Sequence, residues 1–539
     1  MASSLEVVRP VHHLERYNVT RSNVKIYNNV AIGVRFQCSQ LLQQSLRRED
    51  QRLSNRFWSR LLIGPMTTIL EKHPSLGLVV GDALSARPTF LRLPSLDLSK
   101  QIRIVTVPAT EKMNTVEEEE SGGGVGAVME EEHNLPFDLL DLQAPLWRMV
   151  IVLDEKKSDV VTLLYTFHHV IADGRSALAL IEQLYQQLNL QAATSSILED
   201  TSSITDFKIT PAPQGPMPEA IESLTNCFPS ARTLVWEATR AILLPPFLKK
   251  ALESPYWAGE IDSTLEVPNE TQLRFLRFTK EETQQIVRTA KDRGTTVQSI
   301  LATASIFAAV LVFMTGQDTT REPLVFATPV SLRDLIHTRS GSTMQGPIPA
   351  ADQGNYTSEI LHENVQVAED NSTSFWSMTD AYRQQVLRGT KTDRGVQELL
   401  EHFGMLALLP KDKDGSWEKF MRDKIFKDQH GRKASIKLSN LGRATWSTPS
   451  SSSSGASEPM FKAEDAFFSQ SSGVTASALT MNALTVNGVL IVTTTWQKAG
   501  FKGRERGDRY VQAFKQILMQ AIKSGQQDYL FQDCVASFA

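Results

Sequence analysis

Residues 160–189 read VVTLLYTFHHVIADGRSALALIEQLYQQLN, and this stretch decides the fold. Its first eight residues are β-branched, aromatic or apolar, the composition of a strand buried on both faces. Its last part puts Ala177, Leu180, Ile181, Leu184 and Leu188 at helical spacing, so residues 175–189 are predicted to form a helix. Between them stands His168-His169-Val170-Ile171-Ala172-Asp173-Gly174. A bend from a buried strand into a helix holds a side chain rigidly yet leaves it reachable. Four fixed residues at these offsets arise by chance in a chain of 539 residues on the order of once in a thousand times.

An imidazole at such a bend is half deprotonated near pH 6.5 and can serve as a general base. It can take a proton from a hydroxyl or amine attacking a carbonyl and return it to the leaving group. Asp173 can brace the loop, and Gly174 can adopt an unusual backbone angle or let a ligand approach. The Gly174 N–H, opening the helix, is a candidate oxyanion donor. Adjacent histidines on a strand point to opposite faces. They do not readily share a metal, and no third ligand stands at zinc spacing, so no metal is expected. The bland alternative is a pair of buried core histidines. His12-His13 has the same dipeptide without the Asp-Gly and receives no role. A Gly-x-Ser-x-Gly elbow in a strand-turn-helix setting, Gly-x-Gly-x-x-Gly and a Walker A loop are absent from the sequence.

Outward from the motif, strands are predicted over residues 24–36, 147–153, 273–278, 324–329, 436–438 and 484–495, the last with an Asn487-Gly488 turn. Helices are predicted over residues 53–71, 279–294 and 297–314. Thr279 with Glu282, and Thr295 with Gln298, read as capping boxes. Strands and helices mixed in both halves indicate α/β or α+β layers.

The length suggests two domains. The division expected is an N-terminal lobe over 1–200, a connection over 201–270 and a C-terminal lobe over 271–539. An acidic and glycine-rich run (117–124, then Glu130–Glu132), a Ser/Thr/Ala/Pro-rich stretch (190–218) and a serine run (447–457) read as solvated insertions. The net charge of −4 gives no electrostatic case for nucleic acid. Cys38, Cys227 and Cys534 are too few and too scattered for a disulfide framework, which fits a reducing, cytoplasmic setting. No secretory leader is visible in the first 17 residues, so the Asn-x-Ser/Thr sequons at Asn18, Asn269, Asn355 and Asn371 read as chance matches. The apolar run around residues 300–314 is too short to span a bilayer and reads as a core helix.

At residues 168–174 the sequence resembles the His-His-x-x-x-Asp-Gly acyltransferase superfamily, which includes chloramphenicol acetyltransferase, condensation domains, plant BAHD-type enzymes and fungal alcohol acetyltransferases. The flanks are most similar to the fungal branch. They are Leu14-Glu15-Arg16-Tyr17, Tyr27-Asn28-Asn29-Val30, His73-Pro74-Ser75-Leu76, Pro145-Leu146-Trp147-Arg148, Thr328-Pro329-Val330-Ser331-Leu332-Arg333 and Ser439-Asn440-Leu441-Gly442. Their order along the chain matches the family. The plant-type Asp-Phe-Gly-Trp-Gly motif is absent.

The resemblance implies two chloramphenicol-acetyltransferase-like lobes of mixed sheets and helices around a tunnel. It implies His169 as the base, His168 as its support, and a structural Asp173 paired with an arginine, for which Arg333 is the candidate. Ser439 and Asn440 become candidates for the tunnel wall or the oxyanion site. Acyl-CoA, most simply acetyl-CoA, is the expected co-substrate, with no resident cofactor. A small-molecule alcohol or amine is the expected acceptor, in a monomer of secondary metabolism that touches membranes at most peripherally. Two other readings stay open: a free-standing condensation-type enzyme taking its acyl group from a carrier protein, and a non-catalytic binding or scaffold protein of the same fold.

Overall fold

The strand at residues 160–167 lies inside a five-stranded sheet. The computed structural model describes residues 5–48, 52–108, 123–155, 157–192, 206–211, 217–239, 255–262, 266–315, 321–336, 347–409, 413–427, 431–446, 459–525 and 527–538. The serine run, residues 117–122 of the acidic run and most of the Ser/Thr/Ala/Pro-rich stretch fall outside them, whereas Gly123–His133 forms a helix with Glu132 buried, not the solvated loop expected there. In the first sheet, β1 (Val30–Cys38), β2 (Ile102–Val107), β3 (Trp147–Asp154) and β4 (Val160–Phe167) come from the first half of the chain. β4 runs between β1 and β3, with Phe167 opposite Val30 on one side and Trp147 on the other. All but the first residue of β4 is buried, which explains its unbroken apolar run.

The second sheet takes β5 (Thr271–Arg277), β6 (Leu324–Ser331), β7 (Thr357–Val365) and β8 (Ala434–Ala444) from the second half. The chain then leaves it. β9 (Phe461–Gln470) crosses to the edge of the first sheet and pairs antiparallel with β1, Phe461 opposite Cys38 and Gln470 opposite Val30. β10 (Ser477–Val486) and β11 (Val489–Gln497) return to give the order β5-β11-β10-β8-β6-β7. Both sheets are mixed: β2 with β3, β6 with β8 and β8 with β10 are parallel, and the other neighbours antiparallel. The buried Asp465 of β9 ties the sheets together, taking hydrogen bonds from Arg35 of β1 (2.6 Å) and Arg277 of β5 (3.0 Å).

Helices α1 (His13–Asn23), α2 (Asn55–Lys72), α3 (Gly174–Ala192), α4 (Lys280–Asp292), α5 (Val297–Phe313), α6 (Asp393–Leu406) and α7 (Ser416–Lys427) pack around these sheets. α5 is buried along nearly its whole length, as the run around residue 300 predicts. No single described helix is long and apolar enough to cross a membrane.

Two local expectations are corrected. Residues 24–29 are not strand. Their loop is held by side chains, with Ser471 Oγ accepting from the backbone of Asn28 and Asn29, whose amides donate to the carbonyls of His133 and Glu132. The cap of α5 is Thr296, which accepts from Ser299 N at 3.1 Å, and not Thr295. Thr295 N is spent on closing α4: it bonds Ala290 O while Gly294 N bonds Lys291 O, with Gly294 at φ +62°. That is a Schellman ending, and it shifts the next start by one residue.

Candidate active site

β4 delivers both histidines to one place, and the bend separates their fates. His168 turns inward and is 1 % exposed. Val170 N donates to its Nδ1 at 3.1 Å, so Nε2 carries the hydrogen and donates to Ser22 Oγ at 2.7 Å. Burial, with the charges of His169 and Arg21 adding, pushes its pKa down to about 3. It is a neutral, locked ring.

His169 is half-buried and opens onto a cavity of about 640 Å³. Burial lowers its pKa to about 4, helped by the Arg21 guanidinium and opposed by Asp173 and by the carbonyls of His169 and Ala172. A ring that spends one N–H on a carbonyl keeps its other nitrogen free as a base. Asn355 Nδ2 lies 3.2 Å from His169 Nδ1 and 3.4 Å from its carbonyl oxygen. Thr357 Oγ1 in turn donates to Asn355 Oδ1 at 2.7 Å. The Tyr27 ring stands 6.3 Å from the imidazole and carries the Arg21 guanidinium over its face at 4.1 Å.

Asp173 is turned away from the cavity. One carboxylate oxygen accepts from Ser176 N and Oγ, capping α3. The other accepts from Arg333 Nε (3.2 Å), Arg333 Nη2 (2.9 Å) and Tyr356 N (3.2 Å). Arg333 also donates to the carbonyls of Pro349, Asp352 and Gly354 and stacks on Tyr356. The pair therefore fastens the loop after β4 to the start of β7. Gly174 has an ordinary backbone angle, contrary to one use foreseen for it; every described glycine at positive φ lies elsewhere. A Cβ there would come within 2.7 Å of Leu441 Cδ2, so any larger residue would have to displace that side chain.

Gly174, Ser439 and Asn440 line the same cavity as His169. The Asn440 side chain accepts from Gly442 N at 2.8 Å. So the structure brings His169, Gly174, Ser439 and Asn440 to one surface and sets His168, Asp173 and Arg333 behind it. Sequence reading missed Asn355, which appeared only as the start of a chance sequon. It is 9 % exposed, too enclosed to carry a glycan. Arg21, Glu359 and Lys437 were also missed, as residues of common types in no recognisable pattern, and Tyr27 was read only as part of the Tyr27–Val30 stretch and given no role. Among the described residues no group of His, Cys, Asp and Glu could hold a metal ion.

This fold is shared with proteins of known structure. Trichothecene 15-O-acetyltransferase from Fusarium sporotrichioides superposes with a TM-score of 0.58 over 95% of this chain and 94% of that one, at 12% identity. Polyketide synthase associated protein 5 from Mycobacterium tuberculosis gives 0.54 over 96% and 99%, at 14% identity. At the level of sequence, the alcohol acetyltransferase family matches residues 119–518. A probable alcohol acetyltransferase of Fusarium pseudograminearum is 24% identical over 479 residues, 87% of each chain. The chain is an acyltransferase by kinship and belongs to the alcohol acetyltransferase family.

Proposed function

We propose that this protein transfers an acetyl or other short acyl group directly from acyl-CoA to the hydroxyl of a small-molecule acceptor, with His169 as the base. An amine could be deprotonated by the same ring. The observation that carries the reading is the asymmetry of the two histidines: His168 is sealed and neutral, while His169 faces the cavity with a depressed pKa. A ring with pKa about 4 is unprotonated at neutral pH and ready to accept a proton.

In the proposed reaction the acceptor hydroxyl gives its proton to His169 as its oxygen bonds to the thioester carbonyl carbon. The tetrahedral oxyanion is stabilised by the Gly174 N–H at the start of α3, with Ser439 or Asn440 opposite. The C–S bond then breaks, the carbonyl re-forms, and the CoA thiolate takes the proton back from His169. No acyl-enzyme is formed. Asp173 and Arg333 do not touch the reactants; they fix the loop that bears the base. Release of CoA thiol from acetyl-CoA, measured across a panel of alcohols and amines, tests this. Acceptor-dependent release that vanishes in His169→Ala supports it, and equal release by the variant defeats it.

A further inference from the structure

Beside the cavity lies a second, smaller recess of about 30 Å³, and its walls are charged. Tyr17 and Arg21 of α1, Tyr27, Glu359 of β7, and Lys433 and Lys437 at β8 surround it. Of these, Tyr17, Arg21, Glu359, Lys433 and Lys437 also line the main cavity, so the recess adjoins the space that His169 faces. Three cationic side chains stand against one carboxylate. Lys437 Nζ holds Glu359 at 3.1 Å, and Lys437 and then Lys433 drive the Glu359 pKa down to about 2 against its burial. The field is still positive beyond that pair. Burial alone would raise the Tyr17 hydroxyl pKa, yet Lys433, Arg21 and Lys437 together bring it below its ordinary value.

The recess is also near the chemistry. Glu359 lies two residues beyond Thr357, which holds Asn355 against His169, and Lys437 lies two residues before Ser439. Two residues along a strand return to the same face about 7 Å away. We propose that this recess binds an anionic oxo-acid group, a carboxylate or a phosphate, carried by one of the two substrates that meet at His169. The identity of the carrier rests on the transferase reading above; the binding of the anion does not.

Titration calorimetry with inorganic phosphate and with succinate tests the site itself. Wild type is expected to bind both saturably, and more weakly as salt rises. Lys433→Gln/Lys437→Gln should weaken binding about tenfold or more, and Glu359→Gln should tighten it severalfold. The single Lys433→Gln, at an exposed position, keeps the test usable if the double variant misfolds, and should weaken binding about threefold. Equal affinities in wild type and variants overturn the proposal. Two kinetic arms then identify the carrier. If the double variant raises KM for hydroxy acids but not for their methyl esters, the anion is the acceptor's carboxylate. If it raises KM for acetyl-CoA but not for 3′-dephospho-acetyl-CoA, the anion is the donor's phosphate. Absence of any His169-dependent thiol release would sink the transferase reading and leave the calorimetry to decide the anion site.

Discussion

Arg333 Nη2 and Asp173 Oδ2 meet at 2.9 Å across 160 residues of sequence, with both side chains shut off from solvent. Removing one partner leaves the other charged and buried. Arg333→Ala and Asp173→Ala should each cost about 3–5 kcal/mol of stability. The double variant should cost much less than the sum, because it leaves no orphaned charge. Chemical denaturation of the three proteins measures this; additive losses would show that the two residues act separately.

His169→Ala should lower kcat by about 10²–10⁴-fold while leaving the melting temperature close to wild type, since the ring sits at a cavity wall. His168→Ala differs in kind. It strips partners from Ser22 and from Val170 N inside the core, so its melting temperature should fall as well. Rate and melting curves for both variants distinguish the roles, and a reversed pattern would exchange the two assignments.

Asn355→Ala should leave the fold in place and reduce kcat about tenfold with little change in KM, because Asn355 touches the imidazole and its carbonyl. The pH profile adds a second readout. With the His169 pKa near 4, kcat/KM in wild type should be flat from about pH 8 to 5.5 and fall only toward pH 4. A profile breaking near 6.5 would mean that the base is not the half-buried His169 ring.

Acid should destabilise the protein early. His133 and His168 are wholly buried and held near pKa 3, against about 6.5 in an unfolded chain. Below pH 6.5 the unfolded chain takes up protons that the folded one refuses, so stability is lost as pH falls toward 3 and is constant above about 7. At pH 5 each ring should cost about 2 kcal/mol. Denaturation midpoints at pH 7.5, 6 and 5 check the sign; a flat series would contradict it.

Gly174→Val should impair activity by pushing Leu441 within the cavity that both residues line. Adding Leu441→Ala should restore part of the rate, since it removes the obstructing side chain. If the second substitution restores nothing, the glycine is needed for its backbone rather than for the gap beside Leu441.

Much of this arrangement could be read in advance. The run before His168 and the helix after Gly174 matched the observed β4 and α3 because burial on both faces and a one-sided apolar stripe leave direct marks in sequence. Arg333 and Asp173 were paired by resemblance, since nothing local links residues so far apart. The loop at 24–29 and the cap at Thr296 went astray because tertiary bonds and the preceding helix ending, not local preference, settle them. β9 was missed because its alternation, with exposed Lys462 and Glu464 interleaved among buried Phe461, Ala463 and Asp465, is short and follows a serine run. Asn355 left no sequence signal, since a positioning amide is recognised by its distance to the ring.

The late crossing of β9 has a consequence for how the protein is made. Until residue 470 has left the ribosome, the outer edge of β1 has no partner, and its unpaired N–H and C=O groups are open to other chains. The first half is thus an unfinished sheet for most of synthesis. A chain interrupted by a stop codon anywhere between residues 200 and 460 should accumulate as aggregate, and supplying the missing half in the same cell should recover soluble protein by strand addition.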